Sequence, residues 1–177
     1  MPIALSTLTN LPLFSGLPAE TLAEVISEGQ TRHIPANTEI MRAHTQPTHL
    51  VVVLKGQLQL LDVTADGRII RVSFVNPGDL VGLLSVIDDQ PIVSNVSSYT
   101  TTDLLLIPMS IARRMVFSNA SMTERVLKLL ARHIRKGTEE RRLLSLPNAF
   151  QRVFVQIVQL AEQNPDQQVA NLPKQHE

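Results

Sequence analysis

The sequence predicts a mainly β fold with helices, of sandwich, jelly-roll or small-barrel type, and three observations carry that expectation. Apolar residues change from a helical to a strand-like period at Gln30. Short apolar runs then follow one another between turn residues as far as Ile107. After Pro108 the helical period returns and includes one unusually long stretch. At 177 residues the chain has room for one full domain and an appendage, and is too short for two large domains.

The first element is an amphipathic helix. Pro18 lies where a helix can begin, Glu20 and Glu24 suit its first turns, Leu22, Val25 and Ile26 supply the apolar face, and Gly29 ends it. Strands are expected over 38–41, 48–54, 57–63, 68–75, 80–84, 92–98 and 103–107. In QLQLLDV and RIIRVSF the apolar residues partly alternate, as half-buried antiparallel strands do. Ala65-Asp66-Gly67 reads as a hairpin turn, with further turns at Lys55-Gly56 and Pro77-Gly78-Asp79. A short helix over 110–117 and a break at Ser118-Asn119 precede a helix from Ala120 to Leu146, ended by Pro147. At ~1.5 Å per residue that helix is about 40 Å long. It carries two stripes. Leu127, Leu130 and Ile134 are expected to pack on the sheets, while Val126, Leu130, His133, Gly137, Glu140 and Leu144 follow a coiled-coil spacing. A last helix over 149–162 places Phe150, Val153, Phe154, Ile157, Val158 and Ala161 on one face, before a polar tail.

Composition removes several function classes. Sixteen basic and 16 acidic residues cancel, unlike the basic surplus of a free-standing nucleic-acid coat. With no cysteine there is no disulfide framework, thiolate zinc site, cysteine-ligated cluster or cysteine nucleophile. The first twenty residues hold no Lys or Arg and are broken by prolines, so they are no secretory signal, and no run approaches the ~18 apolar residues of a membrane span. A cytoplasmic protein is the simplest reading.

The ordered set of elements, with LVVVLKG at Leu50 to Gly56, the turn DVTADGR, NPGDLVG ahead of a short segment, and LLARHIRK in the long helix, resembles the Crp/Fnr family of bacterial transcription regulators. The resemblance implies a cyclic nucleotide-binding-like double-stranded β-roll over 1–117 with an N-terminal helix. A long dimerisation helix over 118–146 follows. Residues 147–177 would then be a helix and connection leading into a helix-turn-helix DNA-binding domain, LPKQHE looking like its beginning. A homodimer that reads DNA through that further domain is the implied assembly, the chain itself being a fragment of it. The alternative is a stand-alone interaction module of the same fold with no DNA role.

By the same resemblance the effector pocket comprises Val72, Ser73, Gly82, Leu83, Leu84, Val93 and Ser94, with His133, Gly137 and Thr138 of the long helix. The dimer interface comprises Val126, Leu130, His133, Gly137 and Leu144. Nucleotide-binding members hold the phosphate with an Arg and the ribose hydroxyl with a Glu. Here Leu83 stands at the Glu position and Val93 at the Arg position. Between Arg71 and Arg113 there is no Lys or Arg at all, so no slip of alignment restores the phosphate partner. Gly82, Leu84 and Ser94 keep the family pattern, while Asp88 and Asp89 would repel an anion. The expected effector is therefore a small molecule other than cyclic AMP, uncharged or apolar, if the roll is more than a scaffold.

Other constellations point nowhere stronger. The five histidines include no H-x-H pair, which disfavours a metal-dependent cupin, and no metal or cofactor is expected. Asp88-Asp89 reads as a solvated turn, and the serines at 94, 97 and 98 lack G-x-S-x-G, so no catalytic residue is expected. Arg132, Arg135, Lys136, Arg141 and Arg142 give the long helix a cationic surface whose plain reading is solvation.

Overall fold

The computed structural model describes residues 5–145, 148, 150, 153–155 and 157–158, without the side chains of 140, 143 and 144. Helices α1 (Leu5–Thr9) and α2 (Ala19–Glu28) lead into β1 (Gln30–Ile34), β2 (Glu39–Met41), β3 (His49–Lys55), β4 (Leu58–Val63), β5 (Ile69–Val75) and β6 (Leu80–Val81). A short helix α3 (Leu83–Asp88), β7 (Asn95–Ser98), β8 (Thr102–Pro108), α4 (Met109–Phe117) and α5 (Ala120–Leu144) follow. The strands form two four-stranded antiparallel sheets, ordered β1-β8-β3-β6 and β2-β7-β4-β5. This is the cyclic nucleotide-binding-like β-roll that the sequence led us to expect, with the long helix after it.

The core lies between the sheets, where Val51, Val53, Leu58, Val75, Val81, Ile92, Val96 and Leu104 form one buried cluster. The run LVVV does not alternate because β3 is covered on both faces. Val51 and Val53 belong to the inner cluster, while Leu50 and Val52 are equally buried and α4 packs against β3. Gly56 is required by its turn: at φ 82°, a Cβ there would stand 2.4 Å from the Thr101 carbonyl oxygen. The hairpin turn falls where expected, with Gly67 at φ 80° and its N–H donating to the Thr64 carbonyl. Asp66 in that turn has its pKa lowered by hydrogen bonds from the Thr64 hydroxyl and the Arg68 guanidinium.

Four elements differ from the sequence reading; one is the strand expected over 92–98, which begins only at Asn95 as β7. Helix α1 was not expected, since five residues are too few to display a period. Strand β1 is an edge strand of largely exposed polar residues, QTRHI, and so offers little apolar signal. The strand expected over 80–84 stops at Val81, because Gly82 takes a left-handed conformation (φ 92°) and starts α3.

The chain divides into two compact units after Val126, whereas the sequence reading put the roll's boundary at 117. The first two turns of α5 account for the difference. Met122 and Val126 are 0% and 2% exposed, and Arg125 Nη1 donates to the Leu13 carbonyl at 3.1 Å. In the second unit α5 continues to Leu144, and the described residues at 150, 153–155 and 157–158 are helical. The expected end of the long helix at 146–147 and the tail with LPKQHE lie outside the described residues. No helix among the described residues is long and apolar enough to cross a membrane.

Candidate functional site: the segment after β6

Gly82 begins the site. Its left-handed backbone (φ 92°, ψ 2°) caps α3, and a Cβ would come within 3.3 Å of the His49 carbonyl oxygen. The helix that follows buries Leu83, Ser85 and Val86 and leaves Leu84 53% exposed. Leu83, which the resemblance places where the family has its ribose carboxylate, is thus part of the packing. Val93, which it places where the phosphate arginine stands, is 68% exposed. Ser94 is half-buried, and Val72 and Ser73 on β5 are exposed. The surface these residues offer is apolar with two hydroxyls.

The two cations that bracket the segment in sequence are both already engaged with protein partners. Arg71 Nε donates to Gln59 Oε1 at 3.0 Å, and its guanidinium lies 4.6 Å from the Phe74 ring centre and 4.8 Å from that of Tyr99. Arg113 Nη1 donates to the Val86 carbonyl at 3.0 Å and stands 3.2 Å from Asp89 Oδ1. Arg113 therefore braces the C-terminal end of α3, where free carbonyls and the helix dipole favour a cation. Of the Asp pair expected in a solvated turn, Asp88 ends α3, its Oδ1 accepting from the Gln90 N–H at 3.0 Å, and Asp89 is the left-handed cap (φ 61°) paired with Arg113. Neither arginine's hydrogen bonds had a signature in the sequence, because Gln59, Val86 and Asp89 come from other elements.

The segment is also tied to the loop before β3. The His44 N–H donates to the Ile92 carbonyl (2.8 Å), the Ile92 N–H to the Thr45 carbonyl (3.0 Å), and Gln46 Nε2 to the Asp89 carbonyl (3.3 Å). On the far side of that loop lies a cavity of about 330 Å³, lined by β1, β2, the 42–48 loop, β3 and β8. None of the expected effector-pocket residues lines it.

The signature of the cyclic nucleotide-binding domain matches residues 31–119, half of the chain. The chain belongs to this family. Two relatives extend the likeness past the matched region. The CRP-like cAMP-activated global transcriptional regulator of Mycobacterium tuberculosis is 22% identical over 165 residues, 93% of this chain and 74% of the relative. The Cyclic AMP receptor protein of Thermus thermophilus is 26% identical over 152 residues, 86% of this chain and 70% of the relative. Among solved structures, the Thermus thermophilus Catabolite Activator Protein superposes with a TM-score of 0.64 at 25% identity. That match covers 76% of this chain and 63% of the other, so this chain spans less than two thirds of that protein. These relatives are named as transcription regulators and a receptor protein, not as enzymes.

The effector-pocket residues expected on the long helix lie beyond the matched residues, in the second unit. His133 and Thr138 are exposed there, Gly137 is half-buried, and Thr138 Oγ1 donates to the Ile134 carbonyl at 2.8 Å. The stripe assignments on α5 need correcting. Val126, expected at the dimer interface, is buried within the chain and has no surface left for a partner. Leu127 and Ile134, expected on the stripe that packs on the sheets, belong to the second unit and are 60% and 67% exposed. Leu130 is half-buried, and the Glu140 and Leu144 side chains lie outside the described residues. No group of three His, Asp or Glu among the described residues could hold a metal ion.

Proposed function

We propose that this chain is the effector-sensing and dimerisation portion of a Crp-type transcription regulator whose roll does not take cyclic AMP. The observation that carries the second half is the state of the cations: Val93 replaces the phosphate partner, and Arg71 and Arg113 on either side are already engaged. A buried charge-assisted hydrogen bond contributes ~1.5–3 kcal/mol, so losing the contacts to both phosphate and ribose removes useful affinity. The residues left at the segment suit an uncharged or apolar effector better than a phosphodiester.

The dimer is proposed on α5. Leu127, Leu130, Ile134, Gly137, Arg141 and Leu144 repeat at alternating three and four, the spacing of a coiled-coil seam. This register keeps Leu130, Gly137 and Leu144 from the sequence reading. It exchanges Val126 for Leu127 and His133 for Ile134, the residues that are exposed and apolar. DNA recognition would reside in a helix-turn-helix module joined to the second unit, and pairing of α5 would set the separation of two such modules at about one DNA turn, ~34 Å. An effector acting on the roll would then bias how the paired helices sit.

The test of the pocket reading is a gain of function. Val93 is exposed, so Val93→Arg restores a cation at the family position with little strain. Cyclic AMP affinity measured by calorimetry is expected to rise roughly ten- to a hundredfold over the parent chain, as one recovered charged contact of ~1.5–3 kcal/mol implies. Unchanged affinity would mean that the segment is not a vestige of a phosphate site.

A further inference from the structure

The roll holds a second hollow whose chemistry differs from that of the α3 segment. It opens between β1 and β2, the edge strands on one side of the two sheets. Its floor is apolar. Ile34, Ile40, Met41 and Leu106, four of the five half-buried residues packed against the inner core, line it. Its rim carries two guanidinium groups, Arg32 and Arg42, and the imidazole of His49, with a single carboxylate, Glu39.

Arg32 is the informative residue. On β1 it shares a face with Ile34, two residues on, and in the ladder it stands opposite Leu104; all three line the hollow. A guanidinium therefore sits on the core-facing side of the sheet. Its side chain has no hydrogen-bond or ion-pair partner among the described residues. Arg42, across the opening, is paired with Glu39 at 3.0 Å. An inward charge on an edge strand discourages edge-to-edge pairing, which would explain Arg32 alone. It does not explain why the core is left open beside it, by about 330 Å³, within the range of small-ligand sites.

We propose that this cleft binds an amphipathic monoanion: an apolar body laid on Ile34, Ile40, Met41 and Leu106, and one anionic group on Arg32. The site is distinct from the cyclic nucleotide segment and stands whether or not that segment is vacant. It is also connected to it. Thr45 lines the cleft, and its carbonyl accepts from Ile92 in the stretch between α3 and β7. An occupant that shifts the 42–48 loop thereby pulls on the segment where the family's effectors act.

Decanoate is a suitable probe, with decanol as its neutral counterpart, titrated into the full chain by calorimetry. The expected result is saturable binding of one decanoate per chain, at least tenfold tighter than decanol. Arg32→Glu, an exposed substitution that breaks no side-chain contact, is expected to weaken decanoate tenfold or more. Glu39→Gln, which removes the competing carboxylate and frees Arg42, is expected to tighten it severalfold. No saturable binding up to millimolar decanoate would overturn the proposal, as would binding that Arg32→Glu leaves unchanged, which would place the probe elsewhere on the protein. The cyclic AMP titrations read a different segment, so the two proposals fail independently.

Discussion

Gly137 lies inside a 25-residue helix, and no other described residue stands within 4 Å of where its Cβ would be. Among the described residues, then, no close approach requires a glycine there, and the helix carries its conformational cost of ~1 kcal/mol against alanine. Gly137→Ala is expected to stabilise the chain by up to about 1 kcal/mol, seen as a rise in the midpoint of thermal unfolding followed by circular dichroism. A fall instead would mean that a partner helix uses the gap. At this scale the sequence was only partly legible. The exposure of Val93 and the burial of Leu83 show only in the fold. The roles of Arg71 and Arg113 could not be read either, since Gln59, Tyr99, Val86 and Asp89 reach them only through sheet pairing and packing.

Helix α5 shows what periodicity leaves open. The stripes through Val126 and Leu127 share Leu130, Gly137 and Leu144, and both begin with an apolar residue, so spacing cannot choose between them. Burial does. Met122 and Val126 enclose part of the roll unit, leaving Leu127 and Ile134 uncovered. Met122→Ala is therefore expected to destabilise the chain by ~2–5 kcal/mol, the usual cost of emptying a fully buried site, measured by urea unfolding. Ile134→Glu should spare the fold and break the pair instead. Sedimentation equilibrium at micromolar concentration is expected to give a dimer for the parent and a monomer for the variant. A monomeric parent, or a variant that still dimerises, would exclude the Leu127 to Leu144 seam. The strands of the roll were legible where apolar runs met turn residues, as at Gly56 and Gly67. Strand β1 was not, because its edge position lets it be polar, and α3 was hidden by the apolar run LVGLLSV, which reads equally well as strand.

At the scale of the whole molecule, this cyclic nucleotide-binding domain keeps the roll, the glycine that starts α3 and the long helix, and we propose that it lacks the charges that would hold a nucleotide. Charge composition alone could not have revealed this, because 16 basic and 16 acidic residues balance wherever they lie. Their placement is what counts: none of the basic residues falls between Arg71 and Arg113, and those two brace the surrounding structure. The measurement that tests this most directly is isothermal calorimetry of cyclic AMP titrated into the intact chain. The account predicts no saturable heat with nucleotide up to hundreds of micromolar. A one-to-one isotherm with a micromolar Kd would contradict it, and would require Arg71 or Arg113 to leave its present partners for the phosphate.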